Sequence, residues 1–365
     1  MKQNIVFTVT NDLSFDQRMQ RICSTLQDAG YNCTLVGRLR SKSIDLDPSS
    51  FSQIRLKCFF EKGKLFYLEY NIRLLFFLLN HPFDGVCSID VDTAIPGFIA
   101  TKLRRIPWVF DAHELFTEVP EVKDRKLVRS IWSFVQKLAF KHATVAYTVG
   151  FALAQWFENT YHRKVLVVRN APIGMANEPY SPAIDKFILY QGALNAGRGL
   201  EALLHAMQAL PCKLVIAGEG DLSAELRILC VELNVQEKVQ FLGFVKPMDL
   251  KKLTAQAWIG MNVSENAGLS YYLSMNNKFF DYVHAGLPSL INPFPEYIKL
   301  NEEFRVGLIT ESTASDIVKN ALVLLHDEEL HHTLHKGCVQ AAEALHWEKE
   351  KQVLIELYST IFEKQ

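Results

Sequence analysis

No cysteine of this 365-residue chain stands in a C-x-x-C pair, and the seven present, at 23, 33, 58, 87, 212, 230 and 338, are scattered. An odd, unpaired set excludes a disulfide framework and a cysteine zinc site, and suits a reducing compartment, the cytoplasm. Charge of one sign is lacking too: the net charge is -1 with 22% charged residues, so no basic field recruits nucleic acid. There is no long hydrophobic run. The most apolar stretch, "LLFFLL" at 74–79, follows Glu69 and Arg73 and is too short to span a bilayer. It reads as a buried helix in preference to a membrane-surface helix. The N-terminal "MKQNIVFTVTND" has too short an apolar core for a signal peptide and predicts a first strand.

Familiar catalytic signatures are also missing. The first turn, "TVTNDLSFDQR", has no glycine where a G-x-G-x-x-G would belong, which argues against a nicotinamide or flavin enzyme. "AGEGDLSAE" offers Gly218 and Gly220 but has Ser223 in place of a third glycine, and no P-loop occurs. No G-x-S-x-G elbow is present, and no cysteine has a nucleophile's setting. His113 and Glu114 are adjacent without a second histidine nearby, so no metal site is expected. His331, His332 and His335 read as surface residues of a polar helix.

What is present is an alternation of short apolar strands with amphipathic helices, run through twice. "NIVFTV", "NCTLVG", "GVCSID", "PWVFDA", "TVAYTV" and "KVLVV" are strand-like, with helical stretches between them. The first helix carries Phe15, Met19, Ile22, Cys23, Leu26 and Ala29 on one face, with Ser14 as its N-cap and Gly30 as its stop. A proline-rich stretch, "NAPIGMANEPYSPAID", interrupts the pattern. Alternation then restarts with "KFILYQG", "KLVIAG", "VQFLGF", "WIGMNV", "PSLIN" and "VGLIT", and the tail from about 327 is helical. Apolar runs buried on both faces imply mostly parallel sheets, so the fold class is α/β with two doubly wound domains. The boundaries fall at 1–170, a linker at 171–185, 186–345, and a final helix at 346–365.

Ligands of open α/β sheets bind at the C-terminal ends of strands. In "YQGALNAGRGLEALLHAM", Gly192 and Gly197 form a turn, and Arg198-Gly199 opens a helix. Arg198 is either a solvated first-turn residue or a phosphate ligand; the helix dipole disfavours a cation there, which favours the second, and a guanidinium suits phosphate. In "VFDAHELFTEVPE" (109–121), His113 could bond a ligand hydroxyl, act as a base, or cap backbone. In "SMNNKFFDYVHAGLP", Lys278 and Asp281 are either a solvated pair or the wall of a ligand site.

Taken in order along the chain, these motifs resemble the retaining glycosyltransferases of GT-B architecture, family 4 or "group 1". The segments carrying the resemblance are "GALNAGRGLEALLHAM", "LVIAGEGD", "VQFLGFV" and "AGLP", with "SIDVDTAIPG" and "VFDAHELFTEVPE" in the first domain. The resemblance implies two Rossmann-like domains facing across a cleft, with a C-terminal helix crossing back to the first. It implies a UDP- or GDP-linked sugar donor, no cofactor or metal, and a glycan or lipid-linked acceptor. With Lys62, Lys64 and Arg73 near the apolar helix, peripheral contact at the inner membrane face is compatible with it. Residue by residue, Arg198 falls where the family has a phosphate-binding lysine, and Ala193 where it has an arginine, for which Lys278 is the candidate replacement. Asp281 matches the second acid of the family's Glu-x7-Glu motif, which holds the nucleotide ribose, while Leu273 occupies the place of the first. His113 matches the active-site histidine. Gly192 and Gly199 belong to the phosphate turn, Gly243 and Phe244 to the segment framing the base, and Arg18 to a loop that would reach the diphosphate. Asn170 resembles the asparagine of an interdomain segment. The resemblance leaves open a non-catalytic binding subunit and a nucleotide-sugar 2-epimerase on the same fold.

Overall fold

The computed structural model describes residues 2–14, 16–119, 122, 124–174 and 179–362. Phe15 of the first helix face, Pro120 and Glu121 of the 109–121 segment, residues 175–178 of the linker and the tail at 363–365 lie outside them. The chain divides into two compact units, Met1–Asn170 with Glu350–Gln365, and Ala171–Lys349.

The first unit holds a seven-stranded sheet in the order β3-β2-β1-β4-β5-β6-β7. Its strands are β1 (Asn4–Thr8), β2 (Asn32–Leu39), β3 (Ser52–Lys57), β4 (Gly85–Ile89), β5 (Trp108–Ala112), β6 (Val145–Thr148) and β7 (Leu166–Val167). All neighbours run parallel. Every residue of β4 and β5 is buried, as expected for strands covered on both faces. The edge strand β3 was not legible, because "SQIRLK" has only Ile54 and Leu56 among polar residues and none of it is fully buried. The first helix, Gln17–Asp28, buries Met19, Ile22, Cys23 and Leu26, but its N-cap is Asp16, not Ser14. The Asp16 carboxylate accepts from the Met19 N–H at 3.0 Å. The final helix, Trp347–Phe362, places Tyr358 against Phe7, with ring centroids 6.0 Å apart, within this first unit.

The second unit has a six-stranded parallel sheet ordered β10-β9-β8-β11-β12-β13. These are β8 (Phe187–Gln191), β9 (Lys213–Ala217), β10 (Val239–Gly243), β11 (Ile259–Asn262), β12 (Ser289–Ile291) and β13 (Gly307–Ile309). In each sheet the winding reverses beside the first strand, between β1 and β4 and between β8 and β11. Those reversals open crevices at the strand C-termini, and both candidate sites lie there. A helix not anticipated from the sequence, Pro295–Phe304, supplies the crossover that parallel β12 and β13 require.

Two expectations are corrected by burial. The helix Gly63–Asn80 is not buried all round: Phe66, Tyr70, Leu74 and Leu78 face the core, while Leu65, Leu68, Ile72, Phe76 and Leu79 are exposed. His331 is not a surface residue. It is buried, stacks on Trp258 at 3.8 Å between centroids, and its Nε2 donates to the Trp258 carbonyl at 2.9 Å.

Candidate functional site

At the C-terminal end of β8 the backbone makes a tight turn against its neighbour. Gly192 (φ 127°) donates its N–H to the Ala217 carbonyl at 3.0 Å. A Cβ on Gly218 would stand 1.9 Å from the Gly192 oxygen, so only glycine allows the turns after β8 and β9 to meet. Gly218→Ala is therefore expected to destabilise the second unit by about 2–4 kcal/mol, from strain and overpacking, as read by denaturant unfolding. Gly199 (φ 68°) precedes the helix Leu200–Ala206, and a Cβ there would lie 2.7 Å from the Val263 oxygen. The Glu265 N–H donates to the Gly197 carbonyl at 3.0 Å, so the loop after β11 closes on the same turn.

This packing fixes two cations. Arg198 lies ahead of the helix rather than in its first turn, and its Nη1 donates to Asn276 Oδ1 at 3.0 Å. Asn276 is itself held, because its N–H donates to the Tyr297 hydroxyl at 2.8 Å. Lys278, on the helix Asn277–His284, is only 8% exposed. Its Nζ sits 3.8 Å from the centre of the Tyr190 ring and has no hydrogen-bond partner among the described residues. Burial drives its pKa well below the ordinary lysine value, and the nearby Arg198 charge pushes the same way. Two cations act on one another here, and an incoming anion would relieve both.

Asp281 follows on the same helix, with a solvent-reached side chain. Its Oδ2 accepts from Gln191 Nε2 at 2.8 Å, and Gln191 Oε1 in turn accepts from the Thr254 hydroxyl at 2.9 Å. The surrounding protein depletes the carboxyl's hydration and pushes its pKa up to about 6, against the Gln191 bond that lowers it. Arg198, Lys278 and Asp281 thus share one end of the sheet with Gly192 and Gly199. Gly243 (φ 66°) ends β10, two strands from β8, and the Phe244 ring beyond it is 81% exposed. Among the described residues no hydrogen bond or ring contact joins Phe244 to Arg198 or Lys278. Leu273 is an apolar residue, 8% exposed, where the resemblance places an acid.

In the first unit, the strand C-termini gather a charged network that the sequence reading only partly named. Asp111 and His113 alternate along the end of β5 and meet Arg18 from the first helix. Arg18 is 6% exposed; its Nη2 donates to both Asp111 oxygens at 3.2 and 3.3 Å, its Nη1 to the Val168 carbonyl at 2.8 Å, and its Nε to His113 Nε2 at 2.9 Å. Arg18, whose loop the resemblance places towards the diphosphate, is held by Asp111 and His113 within its own unit. Burial opposes the Arg18 charge, yet Asp111 holds its pKa above the ordinary value. His113 Nε2 also lies 2.9 Å from Asp111 Oδ2. One nitrogen cannot accept from Arg18 and donate to Asp111 at once, so the first contact belongs to the tautomer with its proton on Nδ1 and the second to an imidazole carrying a proton on Nε2. Burial lowers the His113 pKa, but Asp111 and Asp90 outweigh it and the net shift is upward.

Asp90 was missed because nothing in "SIDVD" marks it. Its Oδ1 accepts the His113 N–H at 2.8 Å, and its backbone (φ 56°, ψ 177°) occupies a region that favours glycine. Burial pushes its carboxyl up to about 8, and that of Asp92, which accepts from Thr10 at 2.6 Å, up to about 6. Among the described residues no three His, Cys, Asp or Glu side chains gather as a metal-ligand set.

A family model described as "Glycosyl transferases group 1" matches residues 177–338. A stretch of 77 residues is 46% identical to an uncharacterized glycosyltransferase of Methanocaldococcus jannaschii, covering 20% of this chain and 20% of that protein. The match thus spans about a fifth of the curated relative's length. Among solved structures, sucrose-phosphate synthase from Thermosynechococcus elongatus superposes with a TM-score of 0.80 at 17% identity, covering 100% of both chains. HepE of Anabaena, in complex with UDP and glucose, superposes with a TM-score of 0.77 at 15% identity, covering 98% of this chain and 99% of that one. At such identities the structural likeness shows the fold, two Rossmann-like domains of GT-B type.

Proposed function

We propose that the chain, whose residues 177–338 match the glycosyl transferases of group 1, is a retaining, metal-independent glycosyltransferase. It takes a sugar from a UDP- or GDP-linked donor to a glycan or lipid-linked acceptor. The observation that carries this reading is the buried amine of Lys278, which has no hydrogen-bond partner among the described residues and whose positive charge is disfavoured by burial and by Arg198 at the C-terminal edge of the second sheet. A buried, uncompensated cation is unfavourable unless a ligand supplies the counter-charge, and a diphosphate matches two adjacent cations.

The chemistry this arrangement supports needs little base machinery. The acceptor hydroxyl oxygen bonds to the anomeric carbon on the face from which the diphosphate departs, and its proton passes to the departing phosphate oxygen. Arg198 and Lys278 stabilise the charge that builds on the leaving group, and Asp281 accepts from the ribose hydroxyls. His113 is assigned to the sugar near its reacting carbon, with Arg18 and Asp111 fixing its ring.

Calorimetric titration tests the site. Arg198→Ala and Lys278→Ala should each weaken donor binding by roughly 1.5–3 kcal/mol, the range for hydrogen bonds to charged groups. Unchanged affinity in both would remove the anion site. Asp281→Asn should weaken nucleotides while leaving free sugar phosphates unaffected. Because the Asp281 pKa is about 6, the carboxylate loses its charge as pH falls through that value. Nucleotide affinity of the wild type should therefore drop below pH 6, and the asparagine variant should lack that step. A second reading has one observation in its favour: the apolar Leu273, together with Ala193, suits a binding subunit without turnover. Donor hydrolysis or transfer by the isolated protein excludes it, and conversion of donor without acceptor, followed by NMR, would instead identify an epimerase.

A further inference from the structure

We propose that the outer face of the helix Gly63–Asn80, with the Phe59–Phe60 turn beside it, docks this protein onto an anionic lipid surface. Leu65, Leu68, Ile72, Phe76 and Leu79 recur at intervals of three and four, so they form one stripe. All five are exposed, Phe76 at 63%, while Phe66, Tyr70, Leu74 and Leu78 fill the opposite, core-facing side. At 1.5 Å per residue the stripe is roughly 20 Å long. A helix apolar on both faces normally has both covered; here the outer one meets solvent.

The aromatic turn at its edge is held in place. Glu69 accepts the Phe59 N–H at 2.9 Å and the Phe60 N–H at 2.9 Å, and it takes Arg73 Nε at 2.8 Å. The Arg73 guanidinium lies 5.1 Å from the centre of the Phe59 ring, which is nonetheless 82% exposed. Glu69 and Arg73, the two charges in the middle of the helix, are thus spent on each other and on presenting two phenylalanines.

Charge selects the occupant. Lys57, Lys62 and Lys64 are exposed at the start of the helix, where Glu61 accepts the Ser41 N–H at 2.7 Å and Glu69 is taken up by the Phe59 and Phe60 N–H groups. At the far end Arg104 donates to the Leu79 and His81 carbonyls, both at 2.8 Å, placing a guanidinium beside the last turn. With cations at both ends, pairing this helix with its own copy brings like charges together in either orientation. An anionic surface attracts both ends while the stripe and the aromatic turn enter the acyl boundary. Among the described residues no helix is long and apolar enough to cross a membrane, so this helix lies in the interface plane.

The inference does not depend on the transferase reading. Co-sedimentation of the 365-residue protein with vesicles of phosphatidylcholine, or of phosphatidylcholine mixed with phosphatidylglycerol, tests it. Wild type should partition onto the mixed vesicles and bind the neutral ones far more weakly. The variant L68Q/I72Q/F76Q, which alters only exposed positions, should keep wild-type thermal unfolding and lose at least about a hundredfold in partitioning. The variant K62A/K64A should lose roughly thirtyfold on the mixed vesicles, at about 1 kcal/mol per lysine near the surface, with that difference vanishing in high salt. Nucleotide titration should be the same in all three proteins, so failure here and failure of the donor site are separable. Absence of wild-type binding to the mixed vesicles, or equal binding by the glutamine variant, would overturn the proposal. So would a dimer in sedimentation velocity that this variant dissociates without any vesicle binding by wild type.

Discussion

Replacing Lys278 by methionine is expected to raise the unfolding temperature of the ligand-free protein while removing most of its affinity for nucleotide sugars. The lysine stem already occupies an apolar setting over the Tyr190 ring, and only its ammonium lacks a partner. Methionine keeps the volume and removes the buried charge, a class of change that stabilises by about 1–4 kcal/mol. For units of 150–250 residues each kcal/mol corresponds to roughly 2–4 °C. The sign with pH follows from the depressed pKa: the unfolded chain holds the proton at pH values where the folded lysine has released it. Stability of the wild type should therefore rise as pH climbs towards the ordinary lysine value, and the methionine variant should lack that slope. Scanning calorimetry across pH reads both effects. A variant less stable than wild type would mean that the ammonium has a partner in the ligand-free protein.

The second large effect is on turnover. His113→Ala should lower kcat by roughly a hundred- to a thousandfold, the range for one lost transition-state hydrogen bond, with nucleotide affinity little changed. The nucleotide contacts assigned above all lie in the second unit, whereas His113 belongs to the first. Asp111→Asn should show part of this loss with an altered pH profile, since Asp111 sustains the raised pKa of His113 and holds Arg18 through both oxygens. Steady-state kinetics with product detection by NMR checks it. A normal turnover number for His113→Ala would refute its placement beside the reacting carbon.

Much of the fold was legible because buried parallel strands leave continuous apolar runs. "GVCSI" and "WVFDA" announce themselves by composition, whereas β3, with Arg55 and Lys57 on a sheet edge, has no such signature. The helix Pro295–Phe304 was hidden among charges, although the parallel pairing of β12 and β13 required a crossover. Periodicity located the helix Gly63–Asn80, but an all-apolar sequence cannot say which faces are covered; only the fold reveals the outer stripe.

In the candidate site, Arg198, Lys278 and Asp281 could be picked out as charges at the ends of strand–helix units. Their supports could not, because Gln191, Asn276 and Tyr297 are ordinary residues that matter only through packing. Asp90 and Arg18 show the same limit. A carboxylate beside a histidine from another strand, and an arginine turned inward onto Asp111, are products of topology with no local spacing to betray them.

The central claim is that the turn after β8 and the helix bearing Lys278 and Asp281 form a nucleotide-diphosphate site. Calorimetric titration of the wild-type protein with UDP and with GDP tests it most directly. One of the two should bind saturably, once per chain, with an affinity that falls as pH is lowered through about 6 and that Arg198→Ala reduces. No binding of either nucleotide, or binding indifferent to both Arg198→Ala and Lys278→Ala, would contradict it.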